Sequence, residues 1–331
     1  MWFEDLVGFA ETNGDAVRSQ LDLQGEVLHS RVNGSQHRCG RLELLSLAEL
    51  RSRAAELAGT GSLTVREVVG DVQRLHGLAD NAGALFQAAS QFNLLEMVSP
   101  DVTPEAGVGI YENDHTQGPA CAVAAGAGTI YRNYLVPLDG QLGQTAARQL
   151  DALADLGAAL GNQDGRLWDM RNGYALASAD GLAAINAQLA AATTDEIDEL
   201  RTKLRIGVQW DVEVTLPGAG HLVTQVYGSA LPVAYGEPSA ALWEPFARLV
   251  LEASYEATLW AAVLNGQATG NRRVFLTLLG GGVFGNRIEW ILDAMQRGLR
   301  LVADQDLDVG IVSYGRSQPE VRRLAELCGR A

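Results

Sequence analysis

Residues 274–286 read Val-Phe-Leu-Thr-Leu-Leu-Gly-Gly-Gly-Val-Phe-Gly-Asn, an apolar stretch that runs into four closely spaced glycines. The apolar half predicts a buried strand, and the periodicity after Asn286 predicts a helix. Glycines can adopt positive φ and let the backbone approach a ligand, while free N–H groups at the start of the helix attract negative charge. The segment therefore predicts a phosphate- or pyrophosphate-binding turn. The alternative is that the glycines only permit a tight connection between strand and helix.

The spacing of these glycines differs from the common nucleotide-binding motifs. A P-loop ends in Gly-Lys-Ser/Thr, and dinucleotide-binding folds carry Gly-x-Gly-x-x-Gly. Residues 281–285 instead read Gly-Gly-Val-Phe-Gly. A different family of nucleotide-binding proteins is therefore indicated.

The composition limits the possible partners. The chain has 331 residues, with 25 Lys and Arg against 40 Asp and Glu and a formal net charge of -15. This charge repels nucleic-acid phosphates, and no run of Lys or Arg provides a local basic patch. The uncharged stretch at residues 118–131 is mostly Ala and Gly and is too short to span a bilayer. The sequence therefore predicts neither general nucleic-acid binding nor a membrane partner.

The expected location is cytoplasmic, because the N-terminus lacks a basic segment before an apolar one. Cys39, Cys121 and Cys328 are too few and too scattered for a disulfide framework or a zinc site, so free thiols are expected. His115 lies beside Asp114, but no second His follows at ligand spacing. The sequence therefore predicts no metal and no cofactor.

Three parts are predicted along the chain. The first is an N-terminal extension with a long helix and a β-hairpin around Asn33-Gly34. The second is the main domain, which carries a helical insertion rich in Ala, Leu, Gln and Asp, and the third is a C-terminal helix. The predicted ranges are 1–62 for the extension with its helix at 1–20, 63–315 for the main domain, 139–205 for the insertion and 316–331 for the C-terminal helix.

Strands alternate with helices in the main domain, which is the pattern of an α/β protein. The alternation predicts a three-layer α/β/α sandwich around a mixed sheet, with ligands bound beyond the carboxyl ends of the strands. The spacing of Ile288, Ile291, Met295 and Leu299 supports a helix packed on the sheet by one face. Predicted strands cover residues 63–70, 82–89, 206–215, 221–235, 274–279 and 307–314, and predicted helices cover 120–133, 143–160, 180–205, 243–264 and 287–302.

Three short motifs resemble those of the macrodomain family. They are Gly70-Asp71-Val72, Gln87-Ala88-Ala89-Ser90 and Gly282-Val283-Phe284-Gly285, each at the end of a predicted strand. Macrodomains carry Gly-Asp-Ile/Val, Asn-Ala-Ala-Asn and Gly-Ile/Val-Phe-Gly in this order, and their ligand is ADP-ribose. The resemblance covers residues 63–137 and 206–315. It implies a macrodomain-like sandwich that binds ADP-ribose or an ADP-ribosylated protein.

The resemblance implies a role for each motif. The Asp71 carboxylate would accept a hydrogen bond from the adenine amine, the Val72 N–H would serve a ring nitrogen, and Tyr314 would stack on the purine. Backbone amides would hold the diphosphate and ribose without any basic side chain, because oriented amides supply positive potential locally. This group comprises Gly281, Gly282, Val283, Phe284, Gly285 and Asn286. Alternatively, Asp71 could cap a turn and Tyr314 could belong to the core.

The catalytic residues of the family do not transfer directly. Ser90 stands where macrodomains have Asn, and the helix start at Gly118 lacks the acid of the family pattern. Among nearby polar residues, Asn93 and Gln117 are predicted to contact the distal ribose, and Asp114 or Glu96 to orient a water. Glu96 could instead lie on a solvated helical face, and Asp114 could cap the following helix.

The leading hypothesis is an enzyme that hydrolyses mono-ADP-ribose from modified macromolecules. A non-catalytic ADP-ribose reader and a hydrolase of another ADP-ribose-derived nucleotide are the alternatives. Only turnover separates these three.

Overall fold

The computed structural model describes residues 1–57, 59 and 61–329. Positions 58 and 60 of the predicted extension and positions 330 and 331 of the predicted C-terminal helix lie outside the described residues. The helices are α1 (Trp2–Val7), α2 (Gly14–Gln20), α3 (Leu47–Ala54), α4 (Val72–His76), α5 (Gln117–Ala124), α6 (Gly126–Ile130), α7 (Ala154–Leu160), α8 (Ala179–Ala191), α9 (Thr194–Thr202), α10 (Ala240–Thr269), α11 (Ile288–Leu301) and α12 (Pro319–Cys328). The strands are β1 (Leu21–Gln24), β2 (Val27–Ser30), β3 (Gln36–Arg38), β4 (Arg41–Ser46), β5 (Thr64–Val69), β6 (Leu85–Ala89), β7 (Pro137–Leu138), β8 (Gln141–Leu142), β9 (Trp168–Arg171), β10 (Tyr174–Ala177), β11 (Arg205–Glu213), β12 (Leu222–Gly228), β13 (Arg273–Leu276) and β14 (Asp308–Ser313).

A mixed sheet forms the centre of the protein. Within the described residues it has seven strands in the order β4-β11-β12-β6-β13-β14-β5. Strands β12, β6, β13, β14 and β5 run parallel, while β4 and β11 add two antiparallel pairings at one edge. Parallel strands place their carboxyl ends along one side of the sheet, so the loops that follow them can form a common site.

Helices cover both faces of this sheet. Along β6, Phe86 stacks on His76 of α4 at 3.7 Å between ring centroids, whereas the next residue, Gln87, donates to Thr258 of α10. Successive side chains of a strand point to opposite faces, so α4 and α10 lie on opposite sides of the sheet. The buried face of α11, with Ile291, packs against the core on the α10 side. The predicted three-layer α/β/α sandwich around a mixed sheet is confirmed.

The N-terminal part departs from its predicted helix and reaches into the main sheet. The single helix at 1–20 is wrong, because Asn13 accepts a hydrogen bond from the Ala16 amide and caps a separate helix, α2. The hairpin around Asn33-Gly34 is confirmed as β2–β3, and β1–β2 adds a second hairpin. Strand β4 pairs with β11, so the sheet extends across the predicted boundary at residue 62.

Residues 139–205 are less helical than predicted. The predicted helix at 143–160 begins only at Ala154, and the one at 180–205 is divided into α8 and α9. Between α7 and α8 lies the β9–β10 hairpin, whose turn residues Asn172 and Gly173 both have positive φ, at 47° and 79°. Asn-Gly favours this type of two-residue turn, so the sequence contained the signal for the hairpin.

The remaining predicted elements mostly match, with shifted bounds. The predicted helix at 120–133 begins at Gln117, breaks at Ala125 and ends in a π-helical turn, Tyr131–Leu135. The predicted strand 221–235 ends at Gly228, before a loop. Among the described helices, none combines the length and the apolar character needed to cross a membrane.

Candidate ligand-binding and catalytic site

Two adjoining cavities lie beyond the carboxyl ends of the parallel strands. The larger cavity has a volume of about 660 Å³ and follows β5 and β14, and the smaller cavity has a volume of about 190 Å³ and follows β6. The residues that line both are Thr116, Gln117, Thr277, Leu278 and Gly282. The shared wall makes the two cavities one elongated cleft, with the segment after β13 at its middle.

The glycine turn, residues 280–286, forms this middle section. Gly280 and Gly285 both have φ of 73°, and a Cβ at Gly280 would lie 2.4 Å from the Ala230 Cβ, so both positions require glycine. The Asn286 amide donates to the Gly280 carbonyl at 3.0 Å, and the Asn286 side chain donates to the Leu231 carbonyl at 2.8 Å. These bonds close the turn and hold it against the protein.

Three successive amides of the glycine turn have no internal partner. Among the described residues, the N–H groups of Gly282, Val283 and Phe284 make no hydrogen bond, although all three residues line the smaller cavity. A Cβ at Gly282 would meet nothing within 4 Å, so this residue borders open space. Consecutive free amides of this kind form an anion-binding concavity.

The larger cavity contains the residues predicted to hold adenine. Asp71, Val72 and Tyr314 all line it, together with Gly281 and Asn286 of the glycine turn. Tyr314 is 73% exposed rather than part of the core, so its ring is free to stack. The loop that carries Tyr314 is anchored by Glu67, which accepts from the Ser313 hydroxyl and the Gln318 amide, both at 2.7 Å.

Asp71 also has the alternative role that the sequence suggested. Its Oδ1 accepts from the amides of Gln73 at 2.8 Å and Arg74 at 3.2 Å, and so caps α4. Within the described structure, its Oδ2 has no partner, and neither does the Val72 amide. One acceptor and one donor therefore remain without a protein partner at the edge of the larger cavity.

Glu96 lies in the wall of the smaller cavity with most of its surface buried. It is 3% exposed and belongs to the loop after β6, not to a solvated helical face. Burial raises the pKa of the Glu96 carboxyl to about 7, against the opposing effects of Arg132 and Tyr111. A carboxyl group of this pKa exchanges protons near neutral pH and suits general acid or base catalysis.

Asp114 also lines the smaller cavity, and the side chains of the other two predicted catalytic residues form hydrogen bonds within the protein. Gln117 lines both cavities, and its side-chain amide accepts from the Ala89 N–H and donates to the Gln87 carbonyl, both at 2.7 Å, so it also extends β6. Asn93 lines neither cavity and donates to Gln149 at 2.8 Å. The predicted ribose contact of Asn93 is therefore corrected to a structural role, whereas that of Gln117 stays a prediction.

The Asp114 Oδ1 accepts from the Thr116 amide at 2.9 Å and so forms a turn just before α5, but it does not cap the helix, because Thr116 itself is the N-cap. Gly118 lets that helix approach β6, because a Cβ there would lie 1.9 Å from the Ala89 carbonyl oxygen and 3.1 Å from the Glu96 Cγ. The glycine that departs from the macrodomain pattern thus allows α5 to lie directly beside Glu96.

Two tyrosines complete the wall of the smaller cavity and were not predicted. Tyr174 and Tyr235 pack on Phe284, with ring centroids 5.3 Å and 5.6 Å from its ring. The Tyr174 hydroxyl donates to the Met97 carbonyl at 2.7 Å, next to Glu96. Because Tyr174 begins β10, the segment predicted as an insertion contributes directly to the site. The Asn172-Gly173 turn was the signal that could have revealed it.

Arg132 is a further residue that the sequence did not reveal. It is completely buried, and its Nη2 lies 3.3 Å from both carboxylate oxygens of Glu96. Of the described residues that line the two cavities, none is Lys or Arg. His115 lines the larger cavity, and the described part of the chain has no group of three or more His, Cys, Asp or Glu that could hold a metal.

Comparisons with known proteins give structural neighbours only. No protein-family model matches the chain, and no curated protein matches its sequence significantly. Poly(ADP-ribose) glycohydrolase from Thermomonospora curvata is 13% identical, with a TM-score of 0.45 over 94% of each chain. The enzyme of the same name from Deinococcus radiodurans, in complex with ADP-ribose, is 11% identical with a TM-score of 0.44, over 86% of this chain and 91% of that one. At such low similarity, the function must be inferred from the site itself.

Proposed function

We propose that the cleft binds ADP-ribose along its whole length. The adenosine occupies the larger cavity between Asp71, Val72 and Tyr314, the diphosphate lies on the free amides of Gly282–Phe284, and the distal ribose enters the smaller cavity. The observation that carries this proposal is the order of the three parts. Free amides lie between an exposed aromatic ring on one side and a buried carboxyl group on the other.

The protein is strongly acidic, so a dianionic ligand can bind only where backbone amides supply positive potential at short range. The chain carries a formal net charge of -15, and the cavity walls of the described structure contain four acidic residues, Asp71, Glu96, Asp114 and Glu320, but no Lys or Arg. Three hydrogen bonds from amides to phosphate, each worth about 1.5–3 kcal/mol, can hold the diphosphate at short range. A long polyanion would gain little from these amides and would be repelled by the rest of the surface. We therefore favour mono-ADP-ribose over polymer.

We further propose that the protein hydrolyses the bond between the distal ribose and the group attached to it. Water adds its oxygen to the anomeric carbon, and the bond to the attached group breaks. Glu96 takes one proton from the water and passes it to the departing group, so its carboxylate is regenerated. Its buried position favours this transfer near neutral pH. Asp114, in the same wall, orients the water.

A non-catalytic reader is the second candidate. It is favoured by the engagement of Gln117 and Asn93 in structural hydrogen bonds, which leaves few free polar groups around the distal ribose. In a reader, the Glu96–Arg132 pair would only stabilise the loop after β6.

Turnover distinguishes the two. Purified protein is incubated with mono-ADP-ribosylated substrates modified on acidic residues, serine or a nucleobase, and released ADP-ribose is measured next to calorimetric binding of free ADP-ribose. We expect Glu96→Gln to lower the rate of release by about 10²–10⁴-fold while ADP-ribose binding is retained. Binding by the wild type without release from any substrate would leave the reader as the correct function, and absence of binding would refute both.

A further inference from the structure

Arg132 is held more rigidly than an arginine in a surface ion pair. Its Nε donates to the Leu94 carbonyl at 2.9 Å, its Nη2 faces the Glu96 carboxylate, and its Nη1 donates to the Tyr227 hydroxyl. The guanidinium also lies over the Tyr227 ring, 3.7 Å from the centroid. All of these groups are buried, so a change of orientation would leave polar atoms without partners.

The hydrogen bonds continue beyond Tyr227 into the sheet. Because the Tyr227 hydroxyl accepts from Arg132, it donates its own proton to the Gln225 Oε1. The Gln225 Nε2 donates to the Cys121 carbonyl at 2.8 Å and to the His76 Nε2 at 3.0 Å. Burial lowers the pKa of His76 to about 4, so the ring is neutral and its Nδ1 donates to the Val72 carbonyl at 2.8 Å.

In this series of hydrogen bonds, the donor and the acceptor of each bond are fixed. A protonated His76 would place an N–H against the Gln225 amide, and a rotated Gln225 would place two acceptors against each other. These hydrogen bonds therefore have one satisfied arrangement, and Arg132 stands at the end that contacts Glu96. Such fully connected buried networks favour one orientation over others.

The position of Arg132 in this network determines how well the negative charge of ionised Glu96 is stabilised. The groups that face its carboxyl are Tyr111 from the loop before α5, Cys121 from α5, Tyr227 from β12 and Arg132 from the π-helical turn. The first three are neutral side chains whose pKa values are raised by burial. Among the described residues, Arg132 is thus the cation that can stabilise the ionised form of Glu96 in its buried position.

We propose that Arg132 is a positioning residue for the reaction: anchored by Tyr227 and Leu94, it fixes the Glu96 carboxyl at the wall of the smaller cavity and stabilises its ionised form. This rests on the proposed function, since it assigns a role to Arg132 through the carboxyl that would transfer the proton. Arg132 itself lines neither cavity, so it would act through Glu96.

The test compares Arg132→Met, Arg132→Lys and Tyr227→Phe with the wild type. The titration of the Glu96 carboxyl is followed by carbon-13 NMR, with Glu96→Gln to assign the signal, and the pH profile of ADP-ribose release is measured in parallel. We expect Arg132→Met to raise the midpoint of both titrations by one pH unit or more, equal to about a tenfold change in proton affinity. Arg132→Lys keeps the charge and should restore most of the wild-type midpoint.

Tyr227→Phe provides a variant in which the ion pair itself remains. Loss of its hydroxyl removes one anchor of Arg132, so we expect a smaller upward shift of the midpoint and a lower kcat at nearly unchanged KM. An unchanged Glu96 midpoint in folded Arg132→Met would overturn the proposal. If that variant does not fold, an unchanged midpoint in Tyr227→Phe would do so. The NMR titration does not require turnover, so a protein that only binds ADP-ribose would refute the hydrolase and still decide the role of Arg132.

Discussion

The raised pKa of Glu96 makes a quantitative prediction about stability. A carboxyl group in the unfolded chain has a pKa of 4.5, whereas burial raises the pKa of Glu96 to about 7 in the folded protein. Between these values the folded state binds the proton more tightly than the unfolded state does. Glu96 therefore contributes stability below pH 4.5, and this contribution is lost as the pH rises towards 7. At ~1.36 kcal/mol per pH unit, the full loss is about 3 kcal/mol.

Glu96→Gln removes this titration and so isolates its effect. The variant keeps a side-chain oxygen that can accept from Arg132, but it cannot ionise. We expect the difference in unfolding free energy between wild type and variant to change by about 3 kcal/mol between pH 4.5 and 7.5, with the wild type losing relative stability as the pH rises.

The measurement is urea denaturation of both proteins at half-unit pH intervals, because other carboxylates titrate in both and cancel in the difference. A difference that stays constant across this range would show that Glu96 has an ordinary pKa. It would also remove the main physical reason for assigning the proton transfer to this residue.

Two other substitutions test the walls of the cleft. Tyr314→Ala should weaken ADP-ribose binding by about 1–3 kcal/mol in calorimetry through the loss of base stacking. The stability of the protein should change little, because Tyr314 is exposed. Tyr314→Phe should bind like the wild type, and wild-type affinity of Tyr314→Ala would disprove stacking. Tyr174→Phe removes the shorter of two hydrogen bonds to the Met97 carbonyl, which keeps the Gln91 Nε2 at 3.2 Å, so it should cost about 1 kcal/mol in denaturation experiments and slow release. Tyr131→Phe is its control, because the described structure shows no hydrogen bond of that hydroxyl; equal losses in both variants would contradict a role for Tyr174 in the loop of Glu96.

The sheet and the middle of the site could be predicted from local patterns. The apolar run before Gly280 and the spacing of Ile291, Met295 and Leu299 place β13 and α11 nearly at their observed bounds. Between them, Gly280 and Gly285 have positive φ, which glycine adopts without steric cost, so a turn could be predicted there. Such signals lie within one segment, so a sequence is sufficient to recognise them.

The residues that were missed depend on contacts between distant segments. Arg132 lies in an apolar stretch, and its partner Glu96 is 36 residues away. Gln117 is polar and near the cleft, yet its amide is used by the backbone of β6, which no local pattern reveals. Strand β4 was assigned to the extension because its pairing partner, β11, follows more than 150 residues later. The hairpin at Asn172-Gly173, in contrast, had a local signal that was overlooked.

The central claim is that the free amides of Gly282–Phe284 hold a diphosphate, and titration calorimetry with ADP-ribose tests it most directly. Gly282→Leu places a side chain in open space at these amides, so the fold is retained while the phosphate path is filled. Loss of two to three charge-assisted hydrogen bonds should lower the affinity by at least roughly a hundredfold, about 2.7 kcal/mol. Ala187→Leu, on the exposed side of α8, should bind like the wild type. Wild-type affinity in the folded Gly282→Leu variant would contradict the account.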